Sequence, residues 1–234
     1  LEYQIIGLGN VYLTWQPDPV DYSAELQHLA DQTWANRPHH VFNGATLVHH
    51  QTRQHSDGVE LVGRYTDYQF YYSQKVTGQS FGIAPIAVSG LMLAEGHLIF
   101  GKRSPQVTSY PDWWELAPSG AIDKSVALPD GRVDVIAQLT QEFVEEIRLP
   151  AQTIQSIRPM AAIFDPADPV YDIICQIHLT ATPSQVLAAM HTAEEYSDAA
   201  AVPLADLRRW LAEHQHDLIP PSHATVQSWL DHAG

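Results

Sequence analysis

Glu142, Glu145 and Glu146 lie within one turn or so of each other in the segment Gln-Leu-Thr-Gln-Glu-Phe-Val-Glu-Glu-Ile-Arg-Leu. Ile136, Leu139, Phe143 and Ile147 recur there at spacings of three and four. At about 100° per residue that spacing predicts a helix with one apolar stripe turned to a core. Glu142 and Glu146, at i and i+4, then stand about 40° apart beside the stripe, with Glu145 further round toward solvent. Three carboxylates this close repel one another, and a bound cation relieves the repulsion. Hard divalent ions such as Mg²⁺ take oxygen ligands of this kind. The plainer reading is a solvated face built from a good helix former.

The segments upstream add to the first reading. Leu98-Ile-Phe-Gly-Lys-Arg-Ser104 reads as an apolar strand ending in two basic residues, and Trp114-Glu-Leu-Ala-Pro-Ser-Gly120 follows it. Lys102 and Arg103 serve equally as solvated charges. A guanidinium also forks onto phosphate oxygens, so Arg103 is a candidate for holding a diphosphate.

This order resembles the Nudix hydrolases. Their signature is Gly, five residues, Glu, seven residues, then Arg-Glu-apolar-x-Glu-Glu-x-Gly-apolar. Gly120 takes the first position, and Glu142, Phe143, Glu145, Glu146 and Leu149 take the second block. The pattern is eroded: Gln141 stands for the Arg, Arg148 for the closing Gly and Val133 for the first Glu. Gly120 and Glu142 are also about seven positions further apart than in the signature, which predicts an inserted loop within residues 123–131. In the family the first Glu and the Arg are expected to pair, so losing both leaves neither charge uncompensated. The likeness is to the branch that hydrolyses UDP-sugars. Asn43-Gly44, Gly101 to Val107, Gln141 to Pro150, His178-Leu179-Thr180 and Gln185-Val186 carry it through most of the chain.

The resemblance implies an α+β fold: an α/β/α sandwich with a mixed sheet over residues 81–234, preceded by an α/β extension over 1–80. It implies a Mg²⁺-dependent enzyme, with Mn²⁺ as a substitute, that cleaves a nucleoside diphosphate sugar. UDP-glucose would give UMP and glucose 1-phosphate. Glu142, Glu145 and Glu146 are the implied metal ligands, with the Gly120 carbonyl completing the shell, where glycine permits close approach. The general base is one of the box glutamates or a later carboxylate; Glu195, with Glu194, precedes a strand where such a residue is often placed. Asp165 and Asp198 are further candidates. Asn43 and Tyr68 are implied on the substrate side. A silent module that binds a nucleotide sugar or a partner protein is the alternative, and action on another diphosphate is a third.

Composition narrows the partners. The 234 residues carry a formal net charge of -15, which argues against nucleic acid and anionic membranes, both held mainly by Lys and Arg. Hydrophobic content of 45% suits a core of ordinary size. Cys175 is the lone cysteine, flanked by Ile173-Ile174 and Gln176-Ile177, and reads as a buried strand residue. Nothing points to an oxidising compartment, so a cytoplasmic setting is expected. Leu1-Glu2-Tyr3 does not read as a basic, apolar leader.

Several elements must position these residues. Tyr3 to Leu13 reads as a broken strand, Ser23 to Trp34 as a helix, and Thr46–Gln51 with Val59–Tyr65 as a hairpin turning at Ser56-Asp57-Gly58. The aromatic run from Thr66 to Tyr72 reads as packing between strands or as a platform for a ring. Ala84–Leu93 and Leu98–Arg103 form a second hairpin. Ile154–Phe164 and Val170–Leu179 are strands joined by a turn that Pro166 and Pro169 stiffen. Pro183–Met190 is a helix capped by Thr182 or Ser184, Ala199–Val202 a strand, and Leu204–His214 and Thr225–His232 are helices. His39-His40 and His49-His50 are poor zinc sites, because adjacent strand residues point to opposite faces.

Overall fold

Ile86 to Ala94 is apolar on both faces, a pattern that suits a strand covered on each side of its sheet. The computed structural model describes residues 3–39, 41–107 and 109–232, and it places this segment near the middle of an eight-stranded mixed sheet. In chain order the elements are β1 Gln4–Leu8, β2 Asn10–Gln16, α1 Ala24–Ala35, β3 Ala45–His55, β4 Gly58–Asp67 and α2 Tyr68–Thr77. Then come β5 Ile86–Ala94, β6 His97–Arg103, β7 Trp114–Leu116, β8 Ser119–Ala121, α3 Val135–Glu142 and β9 Ile154–Asp165. The chain closes with β10 Val170–Leu179, α4 Pro183–Met190, β11 Tyr196–Pro203, α5 Leu207–Glu213 and α6 Pro220–His232.

The large sheet runs β1-β9-β10-β5-β6-β11, with β7 added to β6 and β8 to β5. β10 is parallel to β5 and the other pairs are antiparallel. A period of two sends alternate side chains to opposite faces. Ile173, Cys175 and Ile177 enter one core with Leu139, Phe143, Ile147 and Val186 of the α3 and α4 side. Ile174 enters the other, with Leu207, Leu211 and Val226 of α5 and α6. Helices on both faces of a mixed sheet make the α/β/α sandwich expected of the sequence.

The smaller sheet, β2-β4-β3, packs Val11, Leu13, Leu47 and Leu61 into the same core as Phe143. β1 lies in the large sheet against β9, so the division proposed at residue 80 is crossed by the first strand of the chain. The loop over residues 123–131 is short and anchored. Trp15 N–H donates to Gly131 O across 2.8 Å, and Val133 N–H to Leu13 O across 2.9 Å. No helix among the described residues is long and apolar enough to cross a membrane.

Two expectations change. Ile136 is 45% exposed and does not belong to the buried stripe, which starts at Val135 and continues through Leu139, Phe143 and Ile147. The aromatic run is not packed between strands, because from Tyr68 it opens α2. Asn43 Oδ1 accepts from Gln69 N–H across 3.0 Å, satisfying a free donor of the first turn, and Phe70 is buried with Phe81 and Ala30. Packing on one helical face overrides the strand preference of the aromatics. His40 lies outside the described residues.

Candidate active site

The acidic segment is not one uniform helix. Asp134 caps α3 by accepting from Ala137 N–H across 2.9 Å, but Phe143–Ile147 takes the wider π form, which carries Glu145 and Glu146. Such turns occur mostly inside α-helices and are frequent at functional sites. Leu139, Phe143 and Ile147 anchor both parts in the core. Arg148 ends the segment in the left-handed region, with φ 62° and ψ 23°.

Glu142 and Glu146 turn toward β8, and Glu145 is exposed. Glu142 Oε1 accepts from Gln138 Nε2 across 2.7 Å, while Gln138 Oε1 accepts from Asp123 N–H across 2.8 Å. That second contact fixes which end of the buried amide faces the carboxylate. The Glu142 carboxylate lies so near Gly120 that a Cβ there would collide with it. Glu146 Oε2 accepts from Ser119 N–H across 3.0 Å and from the Tyr196 hydroxyl across 2.6 Å. Burial pushes the Glu142 carboxyl up to about 7, with Glu145 and Glu195 adding to the effect and Gln138 opposing it. Burial also holds Glu146 well above the usual range, against the Tyr196 hydrogen bond and with the help of Glu115. Both groups therefore resist bearing charge, a condition that nearby positive charge reverses.

Ser119 and Gly120 form one wall of a cleft of about 270 Å³. Arg103, Glu115, Glu195, Asp165, Asp168 and Asp172 also line it, with Tyr71 and Tyr110. Arg103 donates through a terminal nitrogen to Glu115 Oε2 across 2.5 Å and through Nε to Ser109 O across 3.0 Å. Its partner is 2% exposed, and burial pushes Glu115 up to about 7 although Arg103 opposes this. The register of β11 on β6 sets Tyr196 opposite Arg103, and Ser104 N–H donates to Glu195 O across 2.9 Å. Those contacts bring the loop glutamate beside the guanidinium.

Of the residues singled out from sequence, Arg103, Gly120 and Glu195 line the cleft, and Glu142 and Glu146 stand against its β8 wall. Glu145 faces solvent, as its place on the helix predicts. Asn43 and Tyr68 do not line the cleft. Asn43 helps to start α2, and Tyr68 lies edge-on to Tyr71, the ring that does line it, with centroids 6.0 Å apart. Asp165 is in the cleft, accepting from the Tyr110 hydroxyl across 3.0 Å, whereas Glu194 and Asp198 are exposed and outside it. Tyr196, Gln138, Glu115 and Asp172 were not singled out. An acid between Tyr171 and the apolar run Ile173-Ile174-Cys175 was a signal for the last of them.

Among the described residues, no three His, Cys, Asp or Glu side chains converge as a closed metal cage. The donors available at the β8 wall are carboxylate oxygens, which suit Mg²⁺ or Mn²⁺, and Mg²⁺ is commonly held by one or two carboxylates together with substrate phosphates. Glu142 and Glu146 fit that pattern. His49 is no ligand candidate: it stacks on Tyr171 at 3.8 Å, and burial lowers it to about 4.

No protein-family model matches the sequence, and no curated protein does. Solved structures resemble the fold at low identity. A Deinococcus radiodurans protein superposes with a TM-score of 0.46 at 17% identity, covering 61% of this chain and 81% of its own. A bifunctional NMN adenylyltransferase/ADP-ribose pyrophosphatase of Francisella tularensis, complexed with AMP and a manganese ion, gives 0.48 at 14% identity, over 70% of this chain and 46% of its own. The present chain thus spans less than half of that bifunctional protein. A Nudix hydrolase of Nitrosomonas europaea gives 0.41 at 12% identity, over 63% and 89%.

Proposed function

We propose that this chain is a metal-assisted hydrolase of the Nudix kind, acting on the diphosphate link of a nucleoside diphosphate sugar, with a UDP-sugar as the preferred substrate. The observation that carries this reading is the placement of the Glu142 and Glu146 carboxylates against the Ser119–Gly120 wall of a cleft that also holds Arg103 and Glu195. Glu142 and Glu146 would hold Mg²⁺, or Mn²⁺, with Glu145 and the Gly120 carbonyl as further proposed donors. Bound there, the ion supplies charge neutralisation at the diphosphate and a lowered pKa for water.

The remaining work falls to the chain itself. Arg103, already fixed by Glu115 and Ser109, directs a fixed positive charge at phosphate oxygens without having to be ordered on binding. Glu195 lines the cleft and would take a proton from the attacking water. Attack at phosphorus forms one P–O bond and breaks the bridging P–O bond, leaving a nucleoside monophosphate and a sugar 1-phosphate.

Incubation with UDP-glucose and Mg²⁺ tests this by following UMP release. Turnover is expected to depend on the metal and to fall at least a hundredfold in Glu146→Gln. An absence of turnover across a panel of nucleoside diphosphate derivatives would overturn the reading. The competing reading, a silent nucleotide-sugar module, draws on the exposure of Glu145 and on the two protein donors that already occupy Glu146. Ligand binding that needs no metal and is unchanged in Glu146→Gln would favour it.

A further inference from the structure

Two carboxylates on the floor of the cleft make no contact with substrate in the chemistry proposed above, although one of them, Glu115, fixes Arg103. Glu115 and Asp172 are 2% and 7% exposed and both line the cleft. Each has one oxygen engaged: Glu115 Oε2 by Arg103, and Asp172 Oδ2 by the Ser89 hydroxyl across 2.8 Å. The other oxygen of each, Glu115 Oε1 and Asp172 Oδ1, is buried without a protein partner. Buried polar atoms are nearly always satisfied, so a pair of orphaned oxygens on two residues that line one cleft points to donors arriving from outside the protein.

The character of those donors follows from the surroundings. Five carboxylates and one guanidinium line the cleft, and away from Arg103 its Glu115 and Asp172 side offers acceptor oxygens rather than cations. The free oxygens belong to side chains on separate strands, β7 and β10, and no closed cage of three ligands forms among the described residues. Donors spread around a ring suit spaced acceptors better than a single ion does. Clefts for drug-sized ligands run from about 300 to 1,000 Å³, and one of about 270 Å³ is of a size for a single ring.

We infer that Glu115 and Asp172 determine specificity by accepting hydrogen bonds from the hydroxyl groups of the sugar that carries the diphosphate. This rests on the diphosphatase reading and narrows it to substrates with a polyhydroxylated ring at the cleft floor. A site built to bond a hydroxyl discriminates strongly against the analogue that lacks it.

The test compares kcat/KM for UDP-glucose and its singly deoxygenated sugar analogues, in the wild-type protein and in Asp172→Ala and Asp172→Asn, each checked for folding by thermal melting. At least one deoxy analogue is expected to fall tenfold or more in the wild type, and that penalty is expected to vanish in Asp172→Ala. UDP affinity, measured by calorimetry, is expected to stay within twofold. Equal kcat/KM for every analogue in the wild type, with UMP still released, would overturn the inference and leave the diphosphatase reading standing. The loss of Mn²⁺ binding in Asp172→Asn without nucleotide would also overturn it, by making the floor a metal site. If the wild type neither binds UDP nor turns over any of these compounds, both readings fall together. Should Asp172→Ala fail to fold, Asp172→Asn and Ser89→Ala carry the same comparison.

Discussion

The Tyr196 hydroxyl donates to Glu146 Oε2 across 2.6 Å, from a ring that is itself buried against Gly101. The phenol thereby fixes the orientation of a carboxylate whose neighbours would otherwise repel it. Tyr196→Phe keeps the ring and removes the donor. Partners of metal-holding groups typically contribute about 10- to 100-fold in activity or metal affinity, and a loss of that size is expected here. Titration of Mn²⁺ by electron paramagnetic resonance should show the same weakening while the melting temperature moves only slightly. An unchanged metal affinity would assign the hydroxyl to packing.

Gly120 sits beneath the Glu142 carboxylate, where any Cβ collides. The collision is with the far end of a flexible side chain, so Gly120→Ala should fold and melt near the wild type. The displaced carboxylate is another matter, since a misplacement of about 1 Å at a reacting centre costs on the order of a hundredfold in rate. Steady-state turnover set beside a melting curve separates the two effects, and full activity in the variant would remove Glu142 from the site.

Arg148 holds a left-handed backbone at the end of the acidic segment, with φ 62°. That region costs L-residues roughly 1–2 kcal/mol and glycine almost nothing, though glycine loses more entropy on folding. Arg148→Gly is therefore expected to stabilise the protein by about 1 kcal/mol in urea denaturation at constant m. A destabilised variant would mean that the exposed guanidinium makes a contact that matters.

Asp172 is pushed up to about 6 by burial, against its Ser89 hydrogen bond, from an ordinary value of 3.8. The folded chain therefore holds this proton more tightly than the unfolded chain. Its ionisation leaves stability untouched below about pH 4 and lowers it progressively to about pH 6, beyond which the loss is complete. Asp172→Asn, which cannot ionise, should gain on the wild type across that window by about 1–3 kcal/mol. Denaturant curves at pH 4 and pH 8 measure the difference, and equal gains at the two values would show that the carboxyl is not the group responsible.

Much of the fold was legible because it is written in local periodicity. The hairpin turning at Glu95-Gly96, the strands on either side of Asp165 to Pro169, and the helix that Thr182 caps all depend on residues near one another in the chain. The cleft depends on residues far apart. Tyr196 and Glu146 are separated by 50 positions, and Ser89 and Asp172 by 83, so neither pair is visible until the sheet is assembled. The change from α to π form at Phe143 was hidden for another reason. Spacings of three and four between apolar residues are compatible with either form over so few turns. The run from Thr66 to Tyr72 reads as packing between strands because aromatic residues favour strands on average, and the contacts of Phe70 turn it into a helix from Tyr68.

The pairing of β1 with β9 bears on how the chain can be divided. A fragment starting near residue 81 would strip backbone hydrogen bonds from the Ala161–Phe164 part of β9 and leave that apolar edge open to other chains. The leading segment thus acts as a cover for the later sheet, and shortened versions of the protein should clump unless those first residues are kept.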